Sequence, residues 1–305
     1  MIADVALPRA GDGALIAVRD GCWGWLHANR TSFRLQPGEN AELRGPRLKA
    51  HAELMIFVTA CLRRGLHSDA LLPLTEFLTA SLDGFDWESQ AMRDPQFIVA
   101  LLTVVEYLDA TGRNANAMRR LIERALELGA VRTLAIPPYR RMEIERLLVR
   151  AGFVAADGAA FARRYRECIE LLAKPPSHFT LQDAYALTHL ICYLCEDGDR
   201  DPHERVERAE VDRLIWLTST FGRIALIDGN ADLLAEIVMC ERFLAVGDAW
   251  LRRAALELAA ARLEPGGSIA CGPASDPFFD RYHPTLLWAY TSLAFYDAAP
   301  AGRTR

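Results

Sequence analysis

Apolar side chains recur at intervals of three and four residues along most of the chain, which is the spacing of one face of an α-helix. The segment AHAELMIFVTACLRRGL, residues 50–66, shows this pattern clearly. No alternating run is long enough to indicate a strand, and VRTLAIPPY, residues 131–139, has two prolines that favour a loop. The pattern therefore predicts an all-α fold of roughly a dozen helices, each about 12–20 residues long.

Signals for helix starts and stops separate the predicted helices. Pro95 and Pro284 each stand where a helix should begin, a position at which the missing N–H loses no hydrogen bond. Thr180 and Asp183 have the spacing of a capping box. Because the turns between helices are short, we expect antiparallel helical hairpins, arranged as a curved array or as an α/α ring.

A proline-containing break, AKPPSHFT at residues 173–180, is the best candidate for a join between two parts of the chain. It predicts an N-terminal helical lobe over residues 1–175 and a C-terminal helical lobe over residues 176–305. One continuous domain is the alternative, since a chain of 305 residues can bury a single large core.

The composition is typical of a globular protein, with 51% hydrophobic and 25% charged residues. A formal charge of −5 disfavours general nucleic-acid binding. The N-terminus lacks the pattern of a secretory signal, and no uninterrupted apolar run reaches the roughly 18 residues that a membrane span needs. The seven cysteines are an odd number and lie mostly in apolar stretches, so we expect reduced thiols and a cytoplasmic protein.

The helix ending in THLICYLCEDG carries a polar stripe. Tyr185, His189, Cys192 and Glu196 follow one another at spacings of four, three and four residues, which places them on one face. His189 could act there as a general base or as a metal ligand, with Tyr185 or Cys192 beside it. The alternative is a core helix whose histidine and tyrosine each find a hydrogen bond.

Two short motifs near this stripe do not predict a metal site. Cys192 and Cys195 form a lone CxxC near a helix C-terminus, where the helix dipole disfavours a thiolate. The acidic run at residues 197–201 resembles the start of a calcium loop, but Pro202 and Arg208 stand where glycine and glutamate belong. We interpret this run as a solvated turn, and the sequence assigns no metal ligand and no cofactor.

A second candidate region is GGSIACGPASDPFFDRYHPT, residues 266–285, a long irregular stretch directly before the last helix. Asp280 or His283 could act there as an acid or a base at the positive end of the helix dipole. Either residue could instead merely cap the helix.

A third candidate region is CWGWLHANRTSF, residues 22–33. Trp23, Trp25, His27 and Arg30 crowd the end of a predicted helix, so an aromatic wall with a histidine and an arginine could close a ligand pocket. Aromatic residues at helical spacing also occur commonly as core residues, and that alternative stays open.

Two short sequence motifs carry a family resemblance: YALTH at residues 185–189 and FFDRYHPT at residues 278–285. The chain resembles an uncharacterised actinobacterial all-helical family, a domain of unknown function that often sits near natural-product biosynthesis genes. The resemblance implies a helical fold and a tailoring role in biosynthesis. It implies no catalytic residue.

Two functional hypotheses follow. The first is an enzyme with acid–base or metal-assisted chemistry on a small molecule or peptide, in a cavity between the two lobes. Its predicted catalytic residues are His189, His283, Tyr185 and Asp280, and its predicted ligand-binding residues are Trp23, Trp25, His27, Cys192 and Trp288. The second is a non-catalytic scaffold that binds a peptide or protein on a helical surface. A homodimer is compatible with both.

Overall fold

The computed structural model describes residues 12–36, 41–65, 68–271 and 277–296. Within these ranges the chain is all-α, apart from one isolated bridge between Leu263 and Ile269, and the predicted fold class is confirmed. The helices are α1 (Asp12–Ala28), α2 (Ala41–Arg63), α3 (Ser68–Leu82), α4 (Trp87–Arg93), α5 (Ile98–Ala110), α6 (Asn116–Glu127), α7 (Ala130–Thr133), α8 (Pro138–Arg150), α9 (Gly158–Leu171), α10 (Leu181–Leu194), α11 (Arg208–Ile227), α12 (Ala231–Phe243), α13 (Ala249–Arg262) and α14 (Tyr282–Tyr296).

Local sequence signals fix several of these helix ends. Thr180 and Asp183 form the predicted capping box at the start of α10, each side chain bonding the other residue's backbone N–H. Pro95 opens a single 3-10 turn that leads into α5, and Pro284 lies in the first turn of α14 instead of at its first position. Residues 131–133, expected in a loop, complete the short helix α7 before the two prolines.

The contacts divide the chain into two compact units. The first consists of Met1–Ala28 and Thr218–Arg305, and the second of Asn29–Leu217. In the first unit, α1 packs on α13 and α14, and α12 packs on the same two helices. In the second unit, α5 is largely buried and packs on α2, α6 and α8. The predicted lobes and the curved or ring-like arrangement stay predictions.

A close contact in the first unit depends on two glycines. Gly267, in the turn after α13, has a φ of +89°, and a Cβ there would lie 2.3 Å from the carbonyl oxygen of Gly21 in α1. Only glycine combines that backbone conformation with so close an approach. The turn at the start of the second candidate region is therefore held directly against α1.

None of the helices in the described ranges combines the length and the hydropathy that a membrane-crossing segment requires.

Candidate active site

Helices α12 and α14 bring together three side chains that we term the carboxylate–histidine cluster: Asp232, Glu236 and His283. Asp232 and Glu236 are four residues apart in α12 and so share one face of that helix. His283 is the second residue of α14. One potential ligand atom from each residue lies within 4.8 Å of the others.

The two ring nitrogens of His283 face different carboxylates. Nδ1 lies 2.6 Å from Asp232 Oδ1, a hydrogen-bond distance, whereas Nε2 lies 4.0 Å from Glu236 Oε1. The side chain of His283 is 21% exposed, that of Asp232 13% and that of Glu236 7%. The cluster is therefore mostly shielded from water, with the imidazole as its most accessible member.

This geometry defines the chemistry available to the imidazole. A carboxylate at Nδ1 favours the tautomer that carries its proton there, so Nε2 is left with a lone pair. That lone pair, on the side of Glu236, can accept a proton or coordinate a cation. Asp232 at the same time fixes the plane of the ring.

The backbone around the cluster is held by hydrogen bonds between α12 and α14. The Asn230 side chain caps α12 by accepting from the N–H of Leu233 at 3.0 Å. Trp288 Nε1 donates to the carbonyl of Ala231 at 2.8 Å, and Thr291 donates to the carbonyl of Ala235 at 3.3 Å. Trp288 is fully buried, so this predicted ligand-binding residue positions α14 against the start of α12.

The start of α14 is fixed from a second side by an ion pair. Arg281 donates to both carboxylate oxygens of Glu264, at 2.5 and 2.8 Å, and Ser268 also donates to Glu264. These hydrogen bonds, with that of Arg281 the strongest, lower the pKa of Glu264 to about 2. Thr285 accepts from the N–H of Ile269 at 2.9 Å. The backbone on both sides of His283 is thereby tied to the turn after α13.

A thiol adjoins the cluster. Cys271 receives a hydrogen bond from the backbone N–H of Asp232. Desolvation and then the charge of Asp232 raise the pKa of Cys271 to about 11, so the group is a thiol and not a thiolate at neutral pH.

The other residues predicted in the first unit lie on α1 and before α14. Asp280 is exposed in the turn before α14. Trp23 and Trp25 are each buried, 7% exposed, with the ring of Trp25 stacked 6.0 Å from that of Phe278. His27 is half-buried, 6.1 Å from the ring of Trp23. Residues 272–276 of the second candidate region lie outside the described residues.

His189 lies in the second unit, in a different environment. Its Nδ1 donates to the carbonyl of Tyr185 at 2.7 Å, one helical turn earlier. Its ring is 5.5 Å from that of Tyr139 and 5.9 Å from that of Tyr193. Tyr185 thus contributes a backbone carbonyl, and Cys192 is half-buried on the same helix. Because His189 and His283 belong to different units, their predicted shared cavity stays a prediction.

The acidic run after α10 forms ion pairs with arginines. The sequence interpretation, a solvated turn, did not predict these partners. Glu196 and Asp197 adopt left-handed conformations, with φ of 47° and 58°. Asp197 accepts from Arg146 at 2.7 Å and from Arg150 at 3.1 Å, while Arg205 binds Glu196 at 2.8 Å. These arginines hold two consecutive non-glycine residues in a conformation that is costly by itself.

Sequence reasoning identified His283 but missed both carboxylates. The available signal was the spacing of Asp232 and Glu236 within α12, whose other residues are mostly buried and apolar. Two acids one turn apart on an otherwise buried helix need polar partners. The sequence alone does not show that the partner is His283, 51 residues after Asp232.

A family model described as "Domain of unknown function (DUF6895)" matches residues 20–293. The chain belongs to this family. The matched segment extends over parts of both compact units and includes every member of the carboxylate–histidine cluster. No curated protein and no solved structure is significantly similar to the chain.

Proposed function

We propose that this member of the DUF6895 family is an enzyme whose reaction centre is the carboxylate–histidine cluster. The observation that carries the proposal is the 2.6 Å contact between Asp232 and His283 Nδ1, with Glu236 4.0 Å from Nε2. The reaction is of the acid–base or metal-assisted class. The substrate is a small molecule or peptide, and the resemblance to a family found near biosynthesis genes favours a tailoring role.

Each side chain has a separate role in this proposal. His283 Nε2 offers its lone pair to a proton or to a Lewis-acidic ion. Asp232 is a positioning residue, because it orients the ring and stabilises the imidazolium that forms when Nε2 accepts a proton. Glu236 adds a second negative charge on the side where the reaction occurs. Partial burial strengthens these interactions, since the surroundings screen them less than water does.

Selective acylation of the histidines tests whether Nε2 of His283 is available. Diethyl pyrocarbonate modifies unprotonated, accessible imidazoles, and mass spectrometry locates the product on each peptide. We expect His283 to react at pH 7 although it is only 21% exposed, and Asp232→Asn to slow its reaction. His203, which is exposed in a separate 3-10 turn, is the internal control and should react equally in both proteins.

A stability measurement separates a reactive centre from a structural one. The variant His283→Gln should lose turnover in a screen of ester, amide and phosphoester substrates while its free energy of unfolding stays close to that of the wild type. An unreactive His283 in a folded protein whose His203 is acylated would contradict the proposal. A large loss of stability in His283→Gln, with the acylation of His203 unchanged, would also contradict it.

A non-catalytic scaffold is the second candidate function. It is favoured by the second unit, where both His189 and His51 donate Nδ1 to a backbone carbonyl, at 2.7 and 2.9 Å. Such hydrogen bonds are typical of histidines that serve packing. Under this alternative, His283 and Asp232 only join α12 to α14, and removal of either reduces stability alone.

A further inference from the structure

We infer that the carboxylate–histidine cluster binds one divalent transition-metal ion of the zinc class, between His283 Nε2 and Glu236. This inference rests on the proposed function, because it names the cofactor class of the same reaction centre. Asp232 does not ligate the ion directly in this arrangement. It holds the histidine that does.

The donor atoms favour a transition metal. Imidazole nitrogen suits zinc, iron, copper and nickel, whereas magnesium and calcium are bound almost entirely by oxygen ligands. A site built from one imidazole and one carboxylate has one protein ligand fewer than the three of a typical catalytic zinc site, and it leaves two of four coordination positions for water or substrate. The chemical class of the ion follows from His283, since two carboxylates alone would not discriminate a transition metal from magnesium or calcium.

The distances fit an ion on one side of the ring and not on the other. Zinc bonds of about 2.0–2.2 Å place two ligand atoms about 3.3 Å apart at a tetrahedral angle and at most about 4.3 Å apart. The 4.0 Å between Nε2 and Glu236 Oε1 lies within that range, about 0.7 Å above the tetrahedral separation. The 2.6 Å between Nδ1 and Asp232 is a direct hydrogen bond with no room for an ion.

The arrangement of Asp232 is the one that supports metal-binding histidines. Such a histidine commonly donates its other ring N–H to a carboxylate, which fixes the tautomer and increases the basicity of the ligating nitrogen. Asp232 occupies that position without any movement of the protein. With both carboxylates ionised and the imidazole neutral, the three side chains carry a charge of −2, which matches one divalent cation.

Calorimetric titration of the chelator-treated full chain with zinc chloride measures the site directly. We expect one zinc ion per chain, binding more tightly than magnesium by several orders of magnitude. His283→Gln and Glu236→Gln remove a ligand each and should weaken binding by about 100-fold or more, whereas Asp232→Asn should weaken it by about 10- to 100-fold. Circular dichroism of each variant reports whether it is folded.

Two further variants control for zinc bound elsewhere. Cys192→Ser removes one thiol of the CxxC in the second unit, and His189→Gln removes the other predicted catalytic histidine. Neither should change the affinity or the stoichiometry. Cobalt(II) absorption of the wild-type protein gives an independent measure of an N/O ligand set without strong thiolate charge-transfer bands.

Zinc protection of the wild-type protein keeps the test decisive if a variant fails to fold. Saturating zinc should block the acylation of His283 by diethyl pyrocarbonate and leave that of His203 unchanged. No stoichiometric zinc binding, or binding that Cys192→Ser abolishes, would overturn the metal site. If His283 is still rapidly acylated in that case, the metal-free acid–base form of the proposed function survives. If it is unreactive as well, both proposals fail.

Discussion

The surroundings of each histidine, more than its neighbours in sequence, determine its chemistry. His51 in α2 is completely buried and donates Nδ1 to the carbonyl of Phe33, while its Nε2 has no hydrogen-bond partner. Desolvation lowers the pKa of His51 to about 4. His283 is partly exposed between two carboxylates. One imidazole is therefore kept neutral by its burial, whereas the ring nitrogens of the other face two carboxylates.

The buried His51 predicts a loss of stability in mild acid. The unfolded chain binds a proton at His51 below a pKa of about 6.5, whereas the folded protein resists protonation until about pH 4. The contribution of His51 to the free energy of unfolding is therefore complete above pH 6.5 and is lost as the pH falls from 6.5 towards 4. Between pH 7 and pH 5, His51 should lower the free energy of unfolding by about 2 kcal/mol.

Denaturant unfolding of the wild type and of His51→Gln at both pH values measures this effect. Glutamine can still donate to the carbonyl of Phe33 but does not titrate, so contributions from all other groups cancel in the comparison. The variant should lose about 2 kcal/mol less than the wild type on acidification. An equal loss in both proteins would show that His51 is not the titrating group.

At the scale of helices and turns, the sequence predicts contacts between residues that are only a few positions apart in the chain. The capping box of Thr180 and Asp183 was predictable because both hydrogen bonds span three residues. The contact between Asp232 and His283 was not, because it depends on how α12 packs on α14. The acidic turn shows the same limit, since Arg146 and Arg150, which bind Asp197, precede it by 51 and 47 residues.

The turn after α13 makes a contact that a single methyl group should break. Gly267→Ala would place a Cβ 2.3 Å from the carbonyl oxygen of Gly21 and would also force a side chain into a φ of +89°. We expect a loss of about 2 kcal/mol or more in the free energy of unfolding. Gly266→Ala, the matched control, meets no atom within 4 Å and should change it by at most about 0.5 kcal/mol.

Thermal and denaturant unfolding of the two glycine variants decides this point. The turn adjoins the Glu264–Arg281 ion pair, which holds the start of α14. Gly267→Ala should therefore also reduce the affinity for zinc, whereas Gly266→Ala should not. Equal effects of the two substitutions would mean that the close approach to Gly21 contributes little to the structure.

At the scale of the whole chain, the first compact unit is built from both ends of the sequence. Helix α1 belongs with α12, α13 and α14. The second unit, residues 29–217, comes between these two segments in the sequence. The cluster of Asp232, Glu236 and His283 therefore lies in a unit that needs α1 as well as α12, α13 and α14. Sequence patterns did not reveal this, because helical periodicity carries no information about which helices pack together.

A chain that starts at residue 29 tests this organisation. It lacks α1, whose buried side chains include Val18, Cys22 and Leu26 in addition to Trp23 and Trp25. Losing their burial costs on the order of 10 kcal/mol, which is comparable to the whole stability of a typical domain. We expect hydrogen-exchange mass spectrometry to show loss of amide protection in α12–α14 and retained protection in α5 and α8. Loss throughout would mean that the two units fold as one, and protection throughout would mean that α1 is dispensable to the reaction centre.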